Sequence, residues 1–139
     1  CTNPDIQNAL IAAANRGVEV SVILPGESDH AFSHLAAAQK YPEMIRSGVK
    51  IYEYPAFNHD KVMLVDDHFI TMGSSNLDDV ALYHVYELNL NIDDAAFAKE
   101  VNDRLFKKDI AKSKLMKATD VSMLKVATGK FWNLFSHYI

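Results

Sequence analysis

His59 and Lys61 stand two residues apart and set an imidazole beside an ammonium. An imidazole can attack an electrophile or carry a proton, and a fixed cation beside it can neutralise the oxygens of an anionic substrate. Ser74 and Asn76, in Gly73-Ser74-Ser75-Asn76, add a hydroxyl and an amide as donors, and Glu87 adds a carboxylate able to accept from an imidazole N–H. Together these groups suit attack on a phosphate ester. A phosphodiester repels nucleophiles with its charged oxygens; Lys61 can neutralise one nonbridging oxygen while Ser74 and Asn76 donate to the others as charge reorganises. His59 is then either the nucleophile, forming a phosphohistidine, or the acid that protonates the leaving alcohol. Glu87 accepting from Nδ1 would leave Nε2 aimed at phosphorus. Taken singly, the same residues have plainer roles: a surface histidine, a strand-edge lysine, and turn chemistry for Asp66 and Asn76.

The elements that must hold these groups can be read from the pattern. Residues two apart on a strand face the same side, so a strand from His59 to Val65 presents His59 and Lys61 together, with Met63 and Val65 continuing the row. Asp66-Asp67 supplies a turn, and Phe69-Ile70-Thr71-Met72 predicts a return strand that delivers Gly73 to a bend. Residues 83–92 alternate, with Val85, Glu87, Asn89 and Asn91 on one side and Tyr86, Leu88, Leu90 and Ile92 on the other. Asp93-Asp94 then caps a helix that docks through Phe97, Val101 and Leu105.

Upstream, Ile6, Ala9, Leu10, Ala13 and Ala14 form a helical stripe ended by Asn15-Arg16-Gly17. An apolar strand follows from Val18 to Leu24, expected to be an inner one and to stop at Pro25-Gly26. Phe32, Leu35, Ala36 and Ala38 read as helix. Tyr41, Met44 and Ile45 continue to Ser47-Gly48, with Pro42 starting a short helix or marking a kink. Val49 to Tyr54 alternates as a strand ended by Pro55.

At the central residues the sequence resembles the phospholipase D superfamily. That signature is His-x-Lys, four residues, Asp, six residues, then Gly-Ser-x-Asn, and it stands here as His59, Lys61, Asp66 and Gly73-Ser74-Ser75-Asn76. Ala13 to Val20, Leu24-Pro25-Gly26, Gly48 to Tyr54, Asn76-Leu77-Asp78 and Glu87-Leu88-Asn89 narrow the resemblance to the carboxyl-terminal half of bacterial-type cardiolipin synthases. It covers residues 4–110 well and the remainder loosely.

The resemblance implies an α/β fold, an αβ sandwich with a central mixed sheet flanked by helices. It implies a catalytic domain over residues 1–110, followed by a basic and aromatic helical tail over 111–139. It also implies an active site shared between two such domains, one catalytic set from each, with no metal or other cofactor. The second domain would come from the same longer polypeptide or from a second copy in a homodimer. The family has a strand before the region of Pro4, so the chain reads as an excerpt.

By resemblance, His59, Lys61, Asp66 and Glu87 are the catalytic set, and Lys61, Ser74 and Asn76 bind the substrate phosphate. Glu87 holds the histidine, and Asp66 serves site structure across the domain interface. His59, in a second half, takes the general acid/base role in preference to that of nucleophile. The chain departs from cardiolipin synthases where Val80-Ala81 replaces Arg-Ser and Val85 replaces an Asn. These positions bear on lipid headgroup preference.

The expected substrate is a phospholipid such as phosphatidylglycerol, in a transferase or a hydrolase reaction, with peripheral contact to a bacterial inner membrane. A metal-independent endonuclease acting as a dimer is the alternative, and a non-catalytic pairing or membrane-docking domain is a third. At 139 residues and 49% apolar composition, one folded domain is expected, and no run of 18 apolar residues predicts a membrane-spanning helix. A lone Cys1 excludes an internal disulfide and a cysteine-ligated metal site.

The net charge of −4 is unevenly spread. Residues 1–98 carry five Lys/Arg against fourteen Asp/Glu, whereas 99–139 carry nine against four. The acidic body argues against a long nucleic-acid groove, and the basic tail, ending in Phe131-Trp132 and Phe135, suits an anionic surface or closure on the body.

Overall fold

Asn3 accepts a hydrogen bond from Ile6 N at 2.9 Å and Pro4 follows it, so helix α1 (Pro4–Asn15) starts on a capped turn with φ preset. The computed structural model describes residues 3–27 and 39–119. The expected helical segment around Phe32 and the aromatic tail from residue 120 onward lie outside the described residues. Helix α1 ends as its sequence predicts. Gly17 takes φ +90°, a left-handed value that favours glycine, and its N–H closes on Ala14 O at 2.9 Å.

Strand β1 (Ser21–Glu27) pairs in parallel with β2 (Lys50–Phe57), matching Ser21 to Lys50 and Pro25 to Tyr54. Both strands run on through the prolines expected to end them. In β1 the register shifts between Pro25 and Glu27, an irregularity of the kind that accommodates a residue with no N–H to donate. Gly26 is required there by space, since a Cβ on it would lie 2.5 Å from Tyr54 O. Strand β1 is also not an inner strand among the described ones, because it lies at the edge of this sheet with only β2 beside it.

Between the two strands, α2 (Tyr41–Arg46) has Pro42 in its first turn and ends at Gly48, φ +96°. Leu24, Tyr41, Met44, Val49 and Ile51 form the buried core, with Leu10, Ile11, Ala14, Val20 and Ile45 packed on it. Burial, and next the nearby Glu53 carboxylate, pushes the Tyr41 phenol well above its ordinary range, so it stays neutral.

A second, antiparallel sheet has the order β3-β4-β5, from β3 (Val62–Val65), β4 (Phe69–Gly73) and β5 (Asn89–Asp93). Strand β3 alternates as expected, with Val62 and Leu64 half-buried and Met63 and Val65 exposed. It begins three residues later than predicted. Strand β5 begins only at Asn89: α3 (Asp79–Tyr83), capped by Asp78 accepting from Ala81 N at 2.8 Å, takes the first residue of the alternating run, and residues 84–88 are irregular.

Asp94 caps α4 (Ala95–Val101) by accepting from Phe97 N at 2.9 Å. A π-helical turn (Asn102–Phe106) joins α4 to α5 (Lys107–Lys112). Ala98, fully buried, rather than Phe97, at the margin of exposure, makes the deepest contact of this run. Strand β6 (Lys114–Leu115) then adds antiparallel to β2, and Met116 N donates to Ile51 O at 2.8 Å. Lys114 and Leu115 therefore belong to the mixed sheet. The fold is α/β, with strands in one mixed and one antiparallel set. Among the described residues no helix is long and apolar enough to cross a membrane.

Candidate active site

Asp66 and Asp67 take φ of +49° and +56°, values that aspartate tolerates better than most side chains, and His68 N closes the turn on Val65 O at 3.3 Å. The register set there runs back along the hairpin to Val62 opposite Met72. One step further, Gly73 N donates to Lys61 O at 3.1 Å, so Lys61 lies beside the start of the Gly73-Ser74-Ser75-Asn76 loop. Strand β5 reaches the same end, with Gly73 opposite Asn89. Only glycine fits at 73, since a Cβ would overlap Leu88 O and the Asn89 side-chain oxygen and lie 2.7 Å from Asn89 Cα.

The approach permitted by Gly73 lets Ser74 clip two segments together. Its N–H donates to Leu88 O at 3.1 Å, its hydroxyl donates to Glu87 Oε2, and the same oxygen accepts from Leu88 N at 3.1 Å. Ser75 N adds a bond to Asn89 Oδ1 at 3.3 Å. A hydroxyl has one proton, and that of Ser74 goes to Glu87. In this geometry Ser74 fixes the Glu87 carboxylate.

His59 and Lys61 lie in an irregular stretch ahead of β3 and do not share a strand face. Lys61 Nζ donates to His59 O at 2.7 Å, and Asp60 N donates to Asn58 Oδ1 at 2.7 Å, which bends the stretch locally. The His59 ring is exposed and stacked on Phe57, with centroids 5.8 Å apart and planes 10° from parallel. Among the described residues its imidazole forms no hydrogen bond and the Asn76 side chain forms none. The expected contact between Glu87 and the His59 ring is not made within this chain.

Asp66 sits at the far end of the hairpin, separated from Lys61 by the length of β3, roughly 13 Å at the rise of an extended strand. Its surroundings form another set. Asn102 Nδ2 donates to Asp67 Oδ1 at 3.4 Å, His68 Nδ1 lies 3.3 Å from Asp93 Oδ1, and Asp94 N donates to His68 O at 2.9 Å. The structure thus brings Lys61, Ser74, Asn76 and Glu87 to one end of the hairpin, with His59 leading into it, and leaves Asp66 outside. Two supporting residues were not anticipated: Phe57, an aromatic two positions before His59, and Asn89, two positions after Glu87. Among the described residues no three His, Cys, Asp or Glu side chains come together as a metal-ion site.

The family model described as "Cardiolipin synthase, PLD-like domain" matches residues 1–110. The chain belongs to the phospholipase D superfamily, in the cardiolipin synthase family of domains. This phospholipase D-like domain is 39% identical over 118 residues to the minor cardiolipin synthase ClsB of Bacillus subtilis, covering 84% of this chain and 29% of that protein. It is 40% identical over 128 residues to cardiolipin synthase B of Salmonella typhi, covering 91% and 30%. The domain therefore spans less than a third of the length of these curated relatives.

Among solved structures it is similar to the phospholipase D family member Nuc from Salmonella typhimurium, with a TM-score of 0.73 and 25% identity over 84% of this chain and 76% of that one. It also shares its fold with NucT from Helicobacter pylori, with a TM-score of 0.66 and 22% identity over 83% and 76%.

Proposed function

We propose that this chain supplies one catalytic half of a phosphodiester-processing centre acting on phospholipids, as a phosphatidyltransferase or a phospholipase working through a phosphohistidine. The observation that carries this reading is the meeting of Lys61, Ser74, Asn76 and Glu87 at the hairpin end that His59 leads into, fixed by the Gly73–Lys61 bond and the Ser74 clip. The kinship with cardiolipin synthases supports a phospholipid substrate.

In this mechanism Lys61 and Asn76 hold the nonbridging oxygens. One histidine of a pair attacks phosphorus, forming a P–N bond as the P–O bond to the leaving alcohol breaks, and the other protonates that alcohol. The second histidine then deprotonates water or an acceptor alcohol, whose oxygen displaces the first histidine and restores both. His59 is assigned the proton-transfer role. Two features favour completion by a second domain: the His59 imidazole is exposed without a hydrogen-bond acceptor among the described residues, and the Glu87 carboxylate, held by Ser74, is exposed as well. Asp66, at the distal turn, is assigned to site structure across the contact between domains and not to proton transfer.

Vesicles of phosphatidylglycerol, with glycerol release and cardiolipin formation measured, test the proposal. Completed by a second phospholipase D-like domain, in a homodimer or in a longer polypeptide, the wild-type chain should release glycerol, and His59→Ala should lower that rate by on the order of 10³-fold without changing the folded fraction. Equal rates in both proteins would overturn the catalytic assignment. Cleavage of single-stranded or duplex DNA in place of the lipid would make the chain an endonuclease. A trapped phosphohistidine mapping to His59 would reverse its role to nucleophile.

A further inference from the structure

Asn3 is a polar residue only 3% exposed, and its main chain and both ends of its amide are engaged. Its Oδ1 caps α1 by accepting from Ile6 N at 2.9 Å, and its carbonyl accepts from Gln7 N at 3.2 Å. On the other side its Nδ2 donates to Asp79 Oδ1 at 2.5 Å, and its backbone N donates to Leu77 O at 3.3 Å. The start of α1 is thereby bonded to the segment just after Asn76, across 76 positions of sequence.

The choice of side chain follows from this double duty. A helix N-cap is served as well by Asp as by Asn, but a carboxylate has no proton to give to Asp79. An amide accepts from the helix and donates to a charged partner, a bond stronger than one between neutral groups.

We propose that the Asn3–Asp79 pair is a positioning device for Asn76, fixing from the α1 side the loop that presents its amide to phosphate. The inference rests on the reading of Asn76 as a phosphate donor. Asn76 stands between two anchored flanks. Ser74 and Ser75 are bonded to Leu88 and Asn89 on one side, and Leu77 and Asp79 are bonded to Asn3 on the other. With no hydrogen bond of its own among the described residues, the Asn76 side chain is placed by those flanks. Releasing the second one lets the loop pivot about Ser75 while the helix keeps its cap.

Four variants of the 139-residue chain test this by NMR: Asn3→Asp, Asp79→Ala, Asp79→Asn and the double exchange Asn3→Asp/Asp79→Asn. Asn3→Asp keeps the cap and sets carboxylate against carboxylate. Asp79→Ala removes the tether from its exposed end, which guards against a buried substitution that fails to fold. The double exchange swaps donor and acceptor and restores the bond. Without ligand, Asn3→Asp and Asp79→Ala should shift the Asn76 side-chain amide resonance and speed amide exchange over residues 76–79 by on the order of tenfold.

In a titration with inorganic phosphate the same two variants should bind on the order of tenfold more weakly, and the double exchange should return to within about twofold of wild type. Asp79→Asn alone, which leaves two amides facing each other, should fall between. Wild-type resonances, exchange and affinity in Asn3→Asp and Asp79→Ala would overturn the proposal, as would a folded double exchange that recovers nothing. A wild-type chain that takes up no phosphate would overturn the phosphate reading of Asn76 and the function built on it; the exchange rates would still decide the tether.

Discussion

In the mixed sheet Leu24 and Ile51, with Val49 just ahead of β2, turn inward onto Tyr41 and Met44, whereas in the antiparallel sheet Ile70 is the one buried residue among the described strands. Around that second sheet Met63, Val65, Tyr83, Val85, Tyr86, Leu88 and Leu90 are exposed, and the polar cluster sits at its end. The contrast divides the labour of the chain. Cohesion is concentrated where α1 and α2 close over β1 and β2, and the polar cluster proposed for chemistry lies on a hairpin held mainly by main-chain ladders and the Ser74 clip. Substitutions in the two regions should therefore act on different quantities.

The largest effect expected from this division is on stability. Ile51→Ala should destabilise the chain by about 2–5 kcal/mol, read from urea unfolding, while phosphodiester cleavage per folded molecule stays at the wild-type value. A matching fall in specific activity would break the division. Ser74→Ala sharpens it from the other side. Losing the Glu87 and Leu88 partners should cost about 1 kcal/mol and lower kcat by on the order of tenfold with KM unchanged, if the hydroxyl acts by holding the Glu87 carboxylate as it does here. A raised KM at unchanged kcat would restore Ser74 to the phosphate site.

The smallest effect concerns pH. Hydrogen bonds from Lys107 and Lys99 hold the Asp103 carboxyl down to about 2 from its ordinary 3.8. A depressed carboxyl stabilises the fold above its ordinary pKa and loses that contribution as pH falls through the depressed one. Asp103→Asn should therefore melt slightly below wild type from pH 7 down to about 4, converge with it as pH falls toward about 2, and differ less in high salt because the pairs are exposed. Equal separation of the two melting curves at all pH values would remove the ion pairs as the cause.

Helix α1 was legible because its apolar spacing and its Asn-Arg-Gly ending are local signals, and so was the Asp66-Asp67 turn. The strand ends at Pro25 and Pro55 were misjudged, since whether a missing N–H matters depends on the neighbouring strand. Residues 83–88 alternate like a strand, yet Tyr86 and Leu88 face solvent at 107% and 81% exposure and the run begins as a helix. Alternation signals a strand only where one face is buried.

The spacing of Lys61, Ser74 and Asn76 made their common place at one end of the hairpin legible, because a hairpin register converts sequence separation into proximity. The same register carries Asp66 away, and the partner of Glu87 was hidden because Ser74 and an imidazole are equally good donors to it on paper.

The two residues of β6 also have a bearing on self-association. Strand β2 has β1 along one side, and along the other it would offer unpaired donors and acceptors to any extended segment of another molecule. Lys114 and Leu115 occupy that side opposite Glu53 and Tyr52, and a lysine at the rim discourages further addition. A polypeptide cut at residue 110 would keep its polar cluster and lose this cover, turning a well-paired sheet into a template for intermolecular strand addition.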